Sequence, residues 1–374
     1  MKQLAGLLVL AVVLSACGGG PLTMSPAIDA ALAGPEGAPT PSAAPTEAPA
    51  PVPAPAPRYA KLRVFVASES TDQVWVLEAA PGQPFALVTK IPVGRFPHQV
   101  AVSPDGKYVA VNDRLANATS IIDPVALKEI ARIGVGKQPH GITFSADGKT
   151  LYVAHERDVY IQPIETGTWK PLPALLVGVP QHILTMNAAH PNELWFTVTN
   201  SNESDHMRVV DLTTRQVTRV KVNDVHDAYF TPDGSEMWSS SSGFIGKPSD
   251  RMVIYDPLTK TVKQEIHFPG HYPFHTLKPL QDGMYYPTDT SVMVLSDHTA
   301  PGLLWVDWLA RRILDETTFD GQQPFHSTYD PEGDRLLVTT NVDGMVNVVD
   351  MTTHKVVQKI PVTKPHGIVS VGIP

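Results

Sequence analysis

From residue 58 onward, short runs of alternating apolar and polar residues are separated by polar turns. The clearest copy reads "QPHGITFSADGKTLYVAHERDVYIQPIETGTWKPL". It contains an alternating run, an Asp-Gly turn, a second apolar run, a polar loop and a third run. This pattern predicts a meander of short antiparallel strands, because alternation with period two is typical of half-buried strands. No segment shows a convincing helical period.

The pattern recurs about every 40 to 50 residues, a period typical of propeller blades. Each copy opens with a histidine, and the seven are His98, His140, His182, His226, His275, His326 and His366. Four copies carry a hairpin-forming Asp-Gly pair, at Asp105-Gly106, Asp147-Gly148, Asp233-Gly234 and Asp282-Gly283. The third strand tends to end in an acidic residue, as at Asp123, Asp211, Asp256, Asp307 and Asp350.

The two ends of the chain complement each other. Residues 62–93 supply three strands without a histidine-bearing first strand, and "KPHGIVSVGIP" at the C-terminus is a first strand with nothing after it. Pairing these ends would complete a seventh blade and remove the exposed edges of an open array. The sequence therefore predicts an all-β, seven-bladed propeller of four-stranded antiparallel blades over residues 58–374.

Two stretches carry a family resemblance. "IARIGVGKQPHGITFSADGKTLYVA" and "VNVVDMTTHKVVQKIPVTKPHGI" resemble the YVTN-type propeller repeats of exported bacterial and archaeal proteins. The resemblance covers nearly all of residues 61–374 and implies the propeller fold. It leaves the function open, because such propellers include surface proteins, binding proteins and enzyme domains.

The N-terminus predicts export and lipidation. Lys2 and the apolar run from Leu4 to Leu14 form a signal peptide over residues 1–16, too short to span a bilayer. "LSAC" followed by Gly18 resembles the lipobox of bacterial lipoproteins, which implies that Cys17 is lipidated and anchors the chain in a membrane. Gly18 in that position resembles outer-membrane sorting, so we expect a protein facing the periplasm or cell surface.

Residues 17–57 continue as a Pro/Ala-rich segment that we expect to be a disordered tether, since it has too few large apolar residues to fold. In extended polyproline form it would reach roughly 100 Å. The alternative is a linker whose sequence matters little.

Composition excludes several kinds of function. Cys17 is the only cysteine, which excludes disulfides, covalent c-type haem, thiolate zinc sites and iron–sulfur clusters. A formal net charge of −8 argues against a nucleic-acid partner. "ADGKT" resembles the end of a phosphate loop but lacks its first glycine, so we predict no nucleotide cofactor.

Histidines concentrate at one end of the predicted channel. A residue at the start of a blade's first strand lies near the channel mouth, so the seven repeat histidines should form a ring there. His155, His206, His271 and His298 are predicted on loops of the same upper face, as possible additional ligands. The remaining three, His190, His267 and His354, are predicted in lower-face turns or an outer strand.

This ring predicts a transition-metal site, because neutral imidazole is the commonest metal ligand. It is similar to the catalytic propeller of nitrous oxide reductase, whose copper cluster is held by seven histidines, and this resemblance favours copper, with zinc and iron still open. The chain departs from that family in lacking a paired His-His and the cysteine-dependent second copper domain. A looser resemblance is to the haem-binding propeller of cytochrome nitrite reductase.

Two functions follow from these patterns. The first is a metal-binding propeller. A redox-active metal would make it an oxidoreductase with an electron-transfer protein as partner. The second is a non-enzymatic scaffold that binds a protein or glycan through its rim loops. In that case the repeat histidines would form hydrogen bonds within their own blades.

Overall fold

The computed structural model describes residues 59–187, 189–198, 207–221, 225–231, 233–241, 250–277, 292–297, 301–320, 323–330, 332 and 335–374. The signal peptide, Cys17 and the tether lie outside these residues. The described part contains strands and turns, and none of its segments is a helix with the length and apolarity of a membrane span.

The strands form seven sheets of four, which we number as blades 1 to 7. Blade 1 contains β1 (Lys61–Ser68), β2 (Gln73–Ala79), β3 (Ala86–Pro92) and the C-terminal β28 (Pro365–Ile373). Blade 2 contains β4 (Pro97–Val102), β5 (Val109–Asp113), β6 (Ala118–Asp123) and β7 (Lys128–Gly134). Blade 3 contains β8 (Pro139–Phe144), β9 (Thr150–His155), β10 (Tyr160–Glu165) and β11 (Leu175–Leu176). Blade 4 contains β12 (Leu184–Asn187), β13 (His190–Thr197), β14 (Met207–Asp211) and β15 (Val217–Val220).

The remaining blades follow the same order. Blade 5 contains β16 (Val225–Phe230), β17 (Met237–Ser241), β18 (Arg251–Asp256) and β19 (Thr261–His267). Blade 6 contains β20 (Pro273–Leu277), β21 (Val292–Asp297), β22 (Gly302–Asp307) and β23 (Arg312–Thr318). Blade 7 contains β24 (Pro324–Tyr329), β25 (Arg335–Thr340), β26 (Met345–Asp350) and β27 (Val356–Pro361). Only β11 is markedly short, because Pro171 and Pro173 before it have no backbone N–H to donate to the ladder.

The ring closes by pairing the two ends of the propeller. β28 pairs antiparallel with β1, with Phe65 opposite Val369 and Lys61 opposite Ile373. β28 is therefore the first strand of blade 1, and the predicted closure is confirmed.

The core lies between blades. Seven clusters of buried apolar side chains each join two neighbouring blades, and the seventh joins blade 7 to blade 1. Trp195, Trp238 and Trp305 are almost completely buried at three of these interfaces. Because every blade buries a face on each neighbour, the fold depends on a closed ring.

The turn after each third strand explains the acidic residues that end it. In blade 2, the carboxylate of Asp123 accepts hydrogen bonds from the backbone N–H groups of Val125 and Ala126. The equivalent bonds recur at Asp211, Asp256, Asp307 and Asp350. We call these five the turn aspartates. They pair with backbone donors that the turn would otherwise leave unsatisfied.

Candidate metal centre at the channel mouth

The first strands bring the repeat histidines to the upper mouth of the channel. Six imidazoles form a continuous arc, which we call the histidine arc, in the order His326, His366, His98, His140, His182, His226. The seventh, His275, lies in β20, and its side chain is outside the described residues. Thus the structure brings together six of the seven predicted ring histidines.

The arc alternates between two kinds of ring contact. His98 and His140 meet edge to face at 4.6 Å and 67°, and His182 and His226 do so at 4.7 Å and 63°. Between these two pairs, the rings of His140 and His182 are stacked at 3.8 Å and 26°. The ring of His366 is stacked on His98 at 3.7 Å. Four of the six rings therefore form two edge-to-face pairs separated by a stack, and His366 and His326 extend the arc beyond His98.

The arc is largely buried, and burial favours the neutral form of three of its imidazoles. His98, His140, His182, His226 and His366 are all between 5% and 8% exposed. Loss of hydration lowers the pKa of His98 to about 3, and it also lowers the pKa of His140 and His182 below the usual histidine range. Neutral imidazole carries the lone pair that a metal ion needs.

Three acidic residues contact the arc. Glu69 Oε1 lies 2.6 Å from His98 Nδ1, Glu156 Oε1 lies 3.1 Å from His182 Nδ1, and Asp227 Oδ1 lies 3.0 Å from His226 Nδ1. Three groups of nearby ligand atoms result, in which all atoms lie within 4.8 Å of one another: Glu69, His98 and His366; His140, Glu156 and His182; His182, His226 and Asp227. Histidine spacing alone does not reveal these carboxylates.

A positional signal in the sequence could have found two of them. Glu69 directly follows the second strand of blade 1, and Glu156 directly follows that of blade 3. Arg114 occupies this position in blade 2 and Asn341 in blade 7, where Asn341 Nδ2 donates to Glu69 Oε2 over 3.0 Å. The position one residue beyond the second strand therefore supplies a second tier of polar groups above the arc.

Arg114 adjusts the charge of this tier. Its Nε donates to Glu156 Oε2 over 3.0 Å, and its Nη2 makes a second contact with the same oxygen. Burial alone would raise the pKa of Glu156, but the hydrogen bond from His182 and the Arg114 guanidinium outweigh it and hold that pKa at about 2. Burial raises the pKa of Glu69. Glu156 is consequently a carboxylate, and Glu69 takes up a proton more readily than an ordinary glutamate.

The hydrogen-bond donors and acceptors of the first pair conflict unless a proton or a cation lies at the pair. His140 Nδ1 donates to the backbone carbonyl of His182 over 3.2 Å, which leaves a lone pair on His140 Nε2. That lone pair faces His98 Nε2 at 2.9 Å. If His98 Nδ1 donates to a Glu69 carboxylate, His98 Nε2 also presents a lone pair, and the two repel. Either a proton held by Glu69 or a cation between the Nε2 atoms removes this conflict.

The second pair has the same problem. His182 Nδ1 donates to the Glu156 carboxylate, so His182 Nε2 carries a lone pair that faces His226 Nε2 at 3.1 Å. If His226 donates through Nε2, its Nδ1 turns a lone pair toward Asp227 Oδ1. Either a proton between His226 Nδ1 and Asp227 Oδ1 or a cation shared by the two Nε2 atoms removes this conflict.

Neighbouring blades fix the backbone of the arc. Asn112 Nδ2 in blade 2 donates to the carbonyl of His140 over 2.9 Å, and Thr339 Oγ1 in blade 7 donates to the carbonyl of His366 over 2.9 Å. A Cβ at Gly141 would lie 2.5 Å from the carbonyl oxygen of His182, and one at Gly367 equally close to that of His98. Glycine after the histidine therefore lets adjacent first strands approach closely enough for the rings to touch.

The two additional histidines that the structure describes do not join the arc. His155 accepts from Gly136 N, on the connection between blades 2 and 3, through Nε2 and donates to the carbonyl of Tyr160 in its own blade through Nδ1, so both its nitrogens are engaged by backbone groups. The Nδ1 of His271 contacts Asp297 of its own blade at 2.7 Å. His206 and His298 lie outside the described residues. His190 begins β13, His267 ends β19, and His354 lies in the β26–β27 turn with its ring stacked on Trp305 at 3.9 Å.

Several solved structures share this fold. The periplasmic gluconolactonase PpgL from Pseudomonas aeruginosa is 14% identical, with a TM-score of 0.65 over 84% of this chain and 100% of that chain. AztD from Citrobacter koseri, in its apo form, is 15% identical, with a TM-score of 0.58 over 83% of this chain and 98% of that chain. A dihydro-haem d1 dehydrogenase, NirN, in complex with DHE is 14% identical, with a TM-score of 0.58 over 82% of this chain and 74% of that chain. At these identities the likeness concerns the fold alone.

Sequence comparison is more specific about the family than about the activity. No curated protein matches the chain significantly. The similarity to nitrous oxide reductase rests on the sequence pattern alone. A family model of YNCE-like β-propellers matches residues 21–372, and it agrees with the repeats and with the seven-bladed structure. The chain belongs to the YNCE-like β-propeller family.

Proposed function

We propose that this protein is an exported, lipid-anchored β-propeller that binds a divalent transition-metal ion, with copper favoured, through the Nε2 atoms of its histidine arc. The observation that carries this proposal is the pairing of Nε2 atoms from histidines whose Nδ1 atoms contact an acidic residue or, at His140, a backbone carbonyl. Metal-binding histidines almost always donate their other ring N–H to a carboxylate, a carbonyl or water, and this fixes the tautomer that presents a lone pair to the metal.

The donor spacing fits a metal ion. Metal–nitrogen bonds of about 2.0–2.1 Å place adjacent donors of a square arrangement about 2.9 Å apart, and tetrahedral donors about 3.3 Å apart. The Nε2 atoms are 2.9 Å apart in the first pair and 3.1 Å apart in the second. The shorter distance suits the tetragonal geometry of Cu(II), and the longer one is also compatible with zinc.

The charge balance supports a divalent ion. A buried dication needs nearby negative charge, because the loss of its hydration is otherwise too costly. Glu69, Glu156 and Asp227 can supply three negative charges around the arc, against one positive charge on Arg114. Hard carboxylate oxygens beside imidazoles favour Cu(II) or zinc over Cu(I).

Export and anchoring are supported by the N-terminal sequence. The signal peptide and lipobox predict a lipid on Cys17, and one structural relative is described as a periplasmic enzyme. Replacing Cys17 with alanine should therefore leave an unprocessed precursor or a soluble product. Metabolic labelling with a radioactive fatty acid and membrane fractionation measure this. A variant that is processed and pellets with the parent would show that the anchor lies elsewhere.

The metal proposal is tested by elemental analysis of the protein expressed with copper, zinc and iron available. We expect near-stoichiometric metal in the parent and a large loss of metal in His98→Ala. His354→Ala, which removes a histidine on the opposite face, should keep its metal. Absence of metal, with both variants altered only in stability, would overturn the proposal. The rim loops would then be the better candidate, as a surface for a protein or glycan.

Whether the site is catalytic is a separate question. The fold carries enzymes of unrelated chemistry, as the gluconolactonase and the dehydrogenase show, so it does not select a reaction. Bound copper would make one-electron chemistry available at the channel mouth, with a redox protein as partner. Reduction of the loaded protein by a mild one-electron donor, followed optically, distinguishes a redox site from a storage site.

A further inference from the structure

We infer that the histidine arc holds two metal ions, one at the His98–His140 pair and one at the His182–His226 pair. This inference rests on the proposed function and adds its stoichiometry and ligand assignment. The geometry of the rings carries it, because each imidazole can direct its Nε2 lone pair only within its own ring plane.

The first centre lies between blades 2 and 3. The Nε2 atoms of His98 and His140 face each other at 2.9 Å, and Glu69 orients His98 through Nδ1. His366 stacks on His98, and its Nε2 lies 4.0 Å from Glu69 Oε1, on the Nδ1 side of His98. This centre therefore offers two imidazoles, with one carboxylate behind His98.

The second centre lies between blades 4 and 5. The Nε2 atoms of His182 and His226 face each other at 3.1 Å, with Glu156 behind His182 and Asp227 behind His226. It has the same edge-to-face construction as the first pair but one more acidic group. We expect this centre to bind a dication more tightly, since two carboxylates compensate the charge.

The stack between the pairs keeps the two centres separate. His140 and His182 lie nearly parallel, and His140 directs its Nε2 at His98 whereas His182 directs its Nε2 at His226. The other ring nitrogen of His182, Nδ1, already contacts Glu156 Oε1 at 3.1 Å. A single ion could therefore not use the Nε2 atoms of both pairs without rotating these rings.

The experiment titrates Cu²⁺ into the full-length protein, which has been stripped with a chelator and is kept in detergent. Calorimetry monitors the titration, and elemental analysis after desalting counts the bound ions. We expect two equivalents to bind. His98→Ala and His140→Ala should each lose the ion of the first centre and keep one equivalent at the second. His226→Ala should lose the ion of the second centre and keep one equivalent at the first. In the doubly loaded parent, electron paramagnetic resonance should show dipolar broadening between Cu²⁺ ions, and this broadening should disappear in each variant. His354→Ala is the matched control and should bind two.

The outcomes separate this inference from the proposed function. One equivalent in the parent, lost equally on substitution of His140 or His182, would indicate a single ion at the His140–Glu156–His182 group. That result would overturn the two-ion inference and leave the metal proposal intact. No bound Cu²⁺ would overturn both. The stoichiometry of the parent requires no substitution, so the test does not depend on the variants folding.

Discussion

The upper mouth of the channel and the lower turns of the propeller use polar residues in opposite ways. At the lower turns, the turn aspartates repeat the same bonds to backbone N–H groups in five blades. At the mouth, the position after the second strand changes from Glu69 to Arg114, Glu156 and Asn341. Identical residues that satisfy their own blade indicate a structural role, whereas variation among positions that converge on one point indicates a site.

The two regions also differ in how well their polar groups are satisfied. A turn aspartate finds its donors within its own turn, at the surface. The paired imidazoles of the mouth are buried, and without a proton or a metal ion between them they present lone pairs to each other. Burial of such groups lowers the stability of the folded state. The apolar interfaces between blades must therefore offset this loss.

The largest effect should come from opening the scaffold. Deletion of residues 366–374 removes most of β28 and exposes β1, together with apolar surface of the neighbouring blades. Three buried side chains, Ile368, Val369 and Val371, are lost. At about 1.5–3 kcal/mol each, their removal costs about 5–9 kcal/mol, comparable to the whole stability of a domain.

Thermal unfolding followed by circular dichroism measures this loss. Removal of Pro374 alone is the control and should change little, because it lies beyond the end of β28. A truncated protein that melts within a degree or two of the parent would contradict the closure by β28.

The second effect is acid sensitivity of the mouth. In the folded protein, burial lowers the pKa of His98 to about 3 and lowers those of His140 and His182, while the unfolded chain takes up protons near pH 6.5. Below pH 6.5 the unfolded state therefore binds more protons, and the stability of the folded state falls. Each histidine contributes about 1.4 kcal/mol per pH unit until its folded pKa is reached.

Denaturant unfolding between pH 7.5 and pH 5, with a chelator present, measures this slope. Asp113 opposes this loss of stability at low pH, because burial raises the pKa of Asp113 in the folded state to about 7. The folded state therefore takes up a proton at Asp113 before the unfolded state does. Asp113→Asn should therefore steepen the fall. The turn aspartates, whose pKa values are lowered at Asp211, Asp256 and Asp350, should contribute only near pH 4 and below. A flat profile down to pH 5 would contradict the neutral, buried arc.

The third effect separates metal affinity from stability. Glu69→Gln and Glu156→Gln keep the size of the side chain but remove the negative charge behind His98 and His182. Loss of such an outer partner typically lowers metal affinity about 10–100-fold. We expect that loss in competition titrations with a coloured chelator. Unchanged affinity in both variants would show that these acids act only in folding.

The fold was predictable from the sequence, whereas the site was predictable only in part. Period-two alternation and the Asp-Gly turns are local signals, so the blades and their closure followed from the chain alone. The histidine positions followed from the repeat register. The acids Glu69 and Asp227 were missed. The repeat places Glu69 one residue after a second strand, but it does not show that Glu69 reaches His98 on the next blade. It also does not show the contact between Asp227 and the adjacent His226. His155 looked like a ligand because the pattern places it near the mouth, but the pattern cannot show that backbone groups engage both of its nitrogens.

The smallest effect should come from a single lower turn. Asp350 accepts from the backbone N–H groups of Thr352 and Thr353, at 3.0 Å and 2.7 Å, and from the hydroxyl of Thr353. Asp350→Ala removes these bonds at a partly exposed site, and we expect a loss of roughly 1 kcal/mol in unfolding free energy. Asp350→Asn keeps an acceptor oxygen and should recover much of it. Neither variant should change metal content, since the turn lies at the opposite end of the channel from the histidine arc. If Asp350→Ala lowered metal binding as strongly as Glu69→Gln does, the separation between a structural lower face and a functional mouth would fail, and the two ends of the channel would have to be coupled through the blade.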